Sequence, residues 1–218
     1  LLTERDPATN LTILSGDLQQ DDTPPSGNNG DNAYHVVKSD SNAATAVMDG
    51  FTITAGNASG RNPNDRGAGI YTFLSRPSFT NVTISGNIAG GGGGGVYNSL
   101  SDSSFTNVTI SGNTTADGGG GGVDNTGGRP SFTNVTINGN TAAYGGGVFN
   151  FNSSPSFTNV TINGNTATDG GGGGVDNFDS SPSFTNVTIN GNTAAYGGGV
   201  VASFKSSPSF TNVTISGN

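Results

Sequence analysis

The chain has 218 residues, among them 38 Gly, 9 Pro, 12 Phe and one Met, with no Cys and no Trp. Leu, Ile, Val and Phe together number 44, charged residues make up only 10%, and the net charge is −8. So little apolar area cannot offset chain entropy in a thick globular core, but it can build a thin core extended by repetition. The acidic balance excludes a phosphate-neutralising nucleic-acid surface, and no stretch approaches the roughly 18 apolar residues of a membrane span. Without Cys there is neither a disulfide framework nor a thiolate metal site. The chain opens at Leu1 without Met and closes at Asn218 inside a repeating phrase, so it is expected to be a piece of a longer one.

Residues 1–46 read as a lead-in coil and an acidic loop. Asp17, Asp21 and Asp22, beside Gly16 and Gln19-Gln20, form the densest acidic patch. Several oxygens converge there, which leaves two readings open, a solvated loop or a Ca²⁺ site. The spacing matches neither the twelve-residue helix-loop-helix pattern nor the Gly-Gly-x-Gly-x-Asp repeat of calcium β-rolls. His35 is the sole histidine and no Gly-x-Ser-x-Gly elbow accompanies it, so it reads as structural or solvent-facing.

From residue 47 the chain repeats. A divergent first copy runs Met48-Asp49-Gly50-Phe51-Thr52-Ile53, and its Gly69-Ile70-Tyr71 aligns with a later Gly-Val element. Between them Ala58 to Arg66 is the only irregular insertion, and Arg61, Asn64, Asp65 and Arg66 are candidate binding residues because function tends to sit in such loops. The phrase Ser-Phe-Thr-Asn-Val-Thr-Ile then occurs six times, with Phe79, Phe105, Phe132, Phe157, Phe184 and Phe210 at spacings of 26, 27, 25, 27 and 26. Between phrases lies a small-residue stretch and a glycine run ending in Val. Asp117 recurs as Asp169 and Tyr144 as Tyr196, both 52 residues apart, so the unit last duplicated is a pair of repeats.

Short Thr-Val-Ile-Phe segments punctuated by Asn-Gly and Gly-Gly predict strands and turns. Stacking like strands over like gives a parallel β-solenoid that advances about 4.8 Å per coil. Alternation points Val82 and Ile84 inward and Thr83 and Ser85 outward, and stacks the six Phe in a column. Asn81, Asn107, Asn134, Asn159, Asn186 and Asn212 are then predicted to form a hydrogen-bonded ladder, the competing reading being glycosylated Asn-x-Thr sites. Thr83, Thr109, Thr136, Thr161, Thr188 and Thr214 form an outward column beside Ser85, Ser111, Asn138, Asn163, Asn190 and Ser216. Asp117, Asp124, Asp169 and Asp176 read as solvated corner residues, since members of each pair stand two coils apart.

The units from about Val47 to Asn218 resemble the right-handed parallel β-helix repeats of large bacterial surface and secreted proteins. They are similar to polymorphic outer-membrane protein repeats: Gly145-Gly146-Gly147-Val148 matches the Gly-Gly-Ala-Ile type element, and Phe79-Thr80-Asn81 approaches Phe-x-x-Asn, one residue shorter. Glu4-Arg5-Asp6, Thr12 to Asp17 and Asp31 to Val37 resemble the stretch preceding such repeats.

The expected fold is all-β, a right-handed parallel β-helix of about 26 residues per coil and roughly seven to eight coils, with the solenoid at 47–218. The expected function is a non-catalytic structural or adhesive module outside a bacterial cell, at the surface or secreted. Its expected partners are other copies stacked end to end and cell-surface polysaccharide, with no nucleic acid, no membrane span and no cofactor beyond the Ca²⁺ alternative. The competing class is a polysaccharide-binding or polysaccharide-cleaving β-helix, and a further alternative is ice binding by the Thr column.

Overall fold

The computed structural model describes residues 10–23, 27–42 and 46–218. Glu4-Arg5-Asp6 lies outside them. The described chain is an all-β parallel solenoid without α-helix, with one 3₁₀ turn at Asn29–Asp31. Each regular coil carries four short strands, as at Ser78–Thr80, Thr83–Ser85, Ile88–Ala89 and Val96–Ser99. Stacked over their equivalents, they form a Phe face of seven strands, a Thr-Ile face of eight, an Ala face of five and a Val-Asn face of seven. Pairing is parallel with like residue over like, as in Phe105 against Phe132 and Ile110 against Ile137. The divergent copy joins in the same way, Met48 pairing with Phe79 and Ile53 with Ile84.

The winding makes about six turns of about 27 residues, fewer than the seven to eight coils expected. The reason lies at the ends. Thr12–Ser15 and Val37–Asp40 supply two faces of a partial first winding, and Ser209–Thr211 and Thr214–Ser216 supply two of the last.

The corners explain the punctuation. Residues of positive φ turn most of them, singly as at Gly86 (65°), Gly93 (61°), Leu100 (49°) and Asn107 (55°), or in pairs as at Gly127 (71°) and Gly128 (80°). Asn tolerates this left-handed region and Gly enters it without steric cost, so these residues recur between strands.

The core is a set of columns. Phe79, Phe105, Phe132, Phe157, Phe184 and Phe210 stack with centroids 4.9–5.2 Å apart. Val82, Ile84 and Val96 and their equivalents through Val187, Ile189 and Val175 are buried beside them. Two columns of buried Asn run through the same interior. In the first, Asn113 Nδ2 donates to Ile84 O and Asn140 Oδ1, and its Oδ1 accepts from Asn87 N and Nδ2. All four of its amide bonding positions are filled, which is the condition for burying such a group cheaply. Asn87, Asn140, Asn165 and Asn192 continue that column, and the exposed Asn218 ends it. The second links Asn98, Asn125, Asn150 and Asn177 at 2.8–2.9 Å.

The glycine run closes the coil by backbone contact. A Cβ on Gly121 would meet Gly146 O at 2.7 Å, and one on Gly122 would meet Gly147 O at 2.7 Å. Tyr144 and Tyr196 bracket Gly170, a Cβ on which would lie 3.9 Å from the first ring and 2.8 Å from the second. The equivalent longer loop at 118–122 differs, a Cβ on Gly119 meeting the Phe149 ring instead. No helix among the described residues is long and apolar enough to cross a membrane.

Candidate functional site

Three features outside the core can carry chemistry. The first is the polar exterior of the Phe and Thr-Ile faces. Thr83, Thr109, Thr136, Thr161, Thr188 and Thr214 hold in-register positions, with Ser85, Ser111, Asn138, Asn163, Asn190 and Ser216 two residues on. On the adjoining face Thr80, Thr106, Thr133, Thr158, Thr185 and Thr211 repeat likewise. Between the two faces Asn107 Nδ2 donates to Asn81 Oδ1 at 3.1 Å, and the bonds continue through Asn134, Asn159, Asn186 and Asn212. Asn81 Nδ2 in turn reaches Asp49 Oδ1 at 2.9 Å. The whole surface is hydroxyl and amide at the inter-strand spacing, without a charged group in any of these columns from Phe79 onward.

The second feature is a file on the outside of the Val-Asn face, in register as Lys38, Tyr71, Tyr97, Asp124, Phe149, Asp176 and Val201. The irregular loop meets it here. Arg61 is exposed, whereas Asn64, Asp65 and Arg66 are half-buried, because Asp65 O accepts the N–H of Gly91 in the next coil at 2.7 Å. Arg66 Nη1 donates to Tyr97 OH at 3.1 Å, its guanidinium stands 5.3 Å from that ring, and Asp65 lies 3.7 Å from Arg66 Nε. His35 packs on Tyr71 with ring centroids 4.9 Å apart and Tyr71 on Tyr97 at 5.6 Å, both pairs tilted, by 35° and 30°. The His35 Nδ1 contacts Gly67 O at 3.1 Å, and burial holds its pKa below the ordinary value.

Asp124 and Asp176 correct the expectation of solvated corners: they are 3% and 7% exposed. Their strand position faces outward, but a glycine loop roofs it, that of the preceding coil for Asp124 and that of its own coil for Asp176. A Cβ on Gly92 would stand 2.6 Å from Asp124 Oδ2. Burial pushes the Asp124 pKa up to about 7, against the opposing pull of the Thr126 hydroxyl and Arg66. Burial likewise raises Asp176 to about 6. Two coils separate these acids, about 10 Å at the inter-strand spacing, and Phe149 stands between them. They form no carboxylate pair.

The third feature is the acidic loop. Carboxylate oxygens of Asp17, Asp21 and Asp31 come within 4.8 Å of one another. Asp22 stands beside them with Oδ2 accepting from Asn32 Nδ2 at 2.9 Å. Asp31 joins the cluster in space from further along the chain, which spacing alone does not announce. The buried Asn columns at Asn87 and Asn98 also escaped sequence reasoning. Their signal was present, since Asn87 recurs after every phrase while the residue two before it varies between Ser and Asn.

Compared with known proteins, the chain matches no family model, no curated protein and no solved structure. What is established is therefore the architecture, a parallel β-solenoid of stacked coils.

Proposed function

We propose that the chain is a non-catalytic structural or adhesive module of the outside of a bacterial cell, a right-handed β-helix that works as a stiff rod displaying polar columns. The observation that carries this reading is the constancy of the exterior. The same Ser, Thr and Asn side chains return at every coil, whereas the buried acids Asp124 and Asp176 are roofed by glycine and held apart by Phe149. A catalytic groove needs a local departure from repetition with an acid and a base in reach of one substrate atom. A display surface needs repetition. The reading extends to end-to-end association of copies, since every coil pairs with the next in parallel with like residue over like, and a coil of another copy could pair in the same way. Sedimentation velocity at rising concentration tests this, a monomer throughout arguing against the fibre. Screening neutral and acidic polysaccharides for release of reducing or unsaturated ends tests the non-catalytic claim, and any turnover would overturn it.

A second reading, polysaccharide binding, is favoured by one observation. Tyr34, 46% exposed, lies against Gly60 beside the exposed Arg61, an aromatic plate next to a cation at the irregular loop. Retention on a polysaccharide column that is lost in Tyr34→Ala would support it.

A further inference from the structure

Segments 17–23 and 27–32 stand beside the first winding, tied to it by Asn32 Nδ2 on Ala55 O and by Asn57 Nδ2 on Asn29 O. The three clustered carboxylate oxygens of Asp17, Asp21 and Asp31 lie within 4.8 Å of one another. Two ligands on opposite sides of a Ca²⁺ ion are at most about 5 Å apart, twice its usual oxygen distance, so one ion can touch all three. The Asp17 carboxylate also accepts the N–H groups of Gln20 at 2.6 Å and Asp21 at 3.3 Å, which shapes the loop without accounting for a cluster of like charges.

A separate observation points to a ligand. Asp22 Oδ1, Asp31 Oδ2 and Asn32 Oδ1 are buried, and none has a hydrogen-bond donor. Asn32 is 8% exposed, and its Nδ2 is already committed to Asp22 Oδ2 and Ala55 O, both at 2.9 Å. That grip fixes the amide on Asp22, whose own N–H reaches Asp17 Oδ2 at 3.4 Å, and leaves the Asn32 oxygen without a partner. Every orphan here is an acceptor. No Lys, Arg or His pairs with these carboxylates among the described residues. Buried acceptors without donors call for a cation or water, and a mixed set of carboxylate and amide oxygens on a loop suits Ca²⁺ better than the smaller Mg²⁺, which keeps its own waters.

We propose that Asp17, Asp21 and Asp31, with the orphan oxygens of Asp22 and Asn32 in the same loop, bind one Ca²⁺, and that the ion clamps the loop onto the first winding. The clamp would act on bonds already in place: Asn32 Nδ2 to Ala55 O, Asn57 Nδ2 to Asn29 O at 2.7 Å, and Ala33 N to Gly16 O at 2.8 Å. The inference stands independently of the proposed function.

The test is titration calorimetry of the chelator-treated 218-residue chain with CaCl₂ alone, with melting and limited proteolysis followed in parallel. One Ca²⁺ per chain is expected, with a melting point raised by several degrees and slower cleavage within 17–32. Asp31→Asn should weaken binding at least tenfold. Asp21→Asn should do the same; Asp21 is exposed, so its loss leaves folding intact. Asp117→Asn, a remote acid, should leave binding unchanged. Absence of stoichiometric binding at millimolar Ca²⁺, or equal weakening by Asp117→Asn, would overturn the site.

Discussion

Phe132 and Gly122 lie ten residues apart in the chain and bury themselves by opposite means. Phe132 stacks ring on ring, 4.9 Å from Phe105 and from Phe157. Gly122 has no side chain to stack and brings backbone against backbone, with Gly147 O and Ile137 Cγ2 standing 2.7 and 3.0 Å from where a Cβ would be. One side of the coil is thus stabilised by what its side chains fill, and the other by what its residues lack. The first is vulnerable to truncation and the second to enlargement. A composition poor in large apolar residues and rich in Gly follows from that division.

The largest effect should come from removing material on the Phe side. Phe132→Ala leaves a cavity that neighbouring rings in fixed register cannot fill, and should cost about 3–5 kcal/mol in urea unfolding. A loss below about 1 kcal/mol would mean that the column collapses freely and would break the comparison.

Next in size is a pH effect beneath the glycine roof. Asp124 has its native pKa raised from 3.8 to about 7, so the folded state keeps a proton that the unfolded chain has released. Its contribution is therefore fully present below about pH 4 and fades as pH rises towards 7, a span of about 4 kcal/mol. Asp176 adds to the same trend up to about pH 6. Asp124→Asn should flatten the difference curve and leave the variant more stable than the parent at pH 8, measured by denaturant midpoints across pH. An unchanged slope would mean that water reaches the carboxylate under the loop.

Smaller again is the enlargement test. Gly122→Ala should cost about 1–3 kcal/mol through overpacking, read from the same unfolding curves. A neutral outcome would show that the glycine side can spread. Smallest is Asn134→Gly on the exposed ladder, where Gly keeps the positive φ of 55° and water replaces lost bonds, and about 1 kcal/mol or less is expected from thermal melts. A larger loss would put the exterior ladder on a par with the buried one.

These tests also mark where sequence reasoning reached and where it stopped. Alternation within Asn81-Val82-Thr83-Ile84-Ser85 is a local property, and it suffices to send Val82 and Ile84 inward. The parallel stacking follows from the period in the same way. The burial of Asp124 is not local: its strand position faces outward, and only the path of the preceding glycine loop decides that it is covered. Glycine carries no side-chain pattern from which that path could be read. Asn87 and Asn98 were legible as turn and strand residues, but Asn is so common in turns that its role as a fully bonded core amide was hidden. The turn count was overstated because partial windings at either end look like full repeats in the chain. In the acidic loop, Asp17 and Asp21 are close in sequence, whereas Asp31 joins them in space from further along the chain.

The seating of Tyr144 and Tyr196 on either side of Gly170 carries a consequence for how such a molecule changes length. Excising the single winding between Tyr144 and Tyr196 would set those two loops against each other with no glycine between them. Excising two adjacent windings keeps the sequence alternation of Asp-bearing and Tyr-bearing loops, which recur 52 residues apart. Changes in the length of this chain by recombination are then expected to favour even steps.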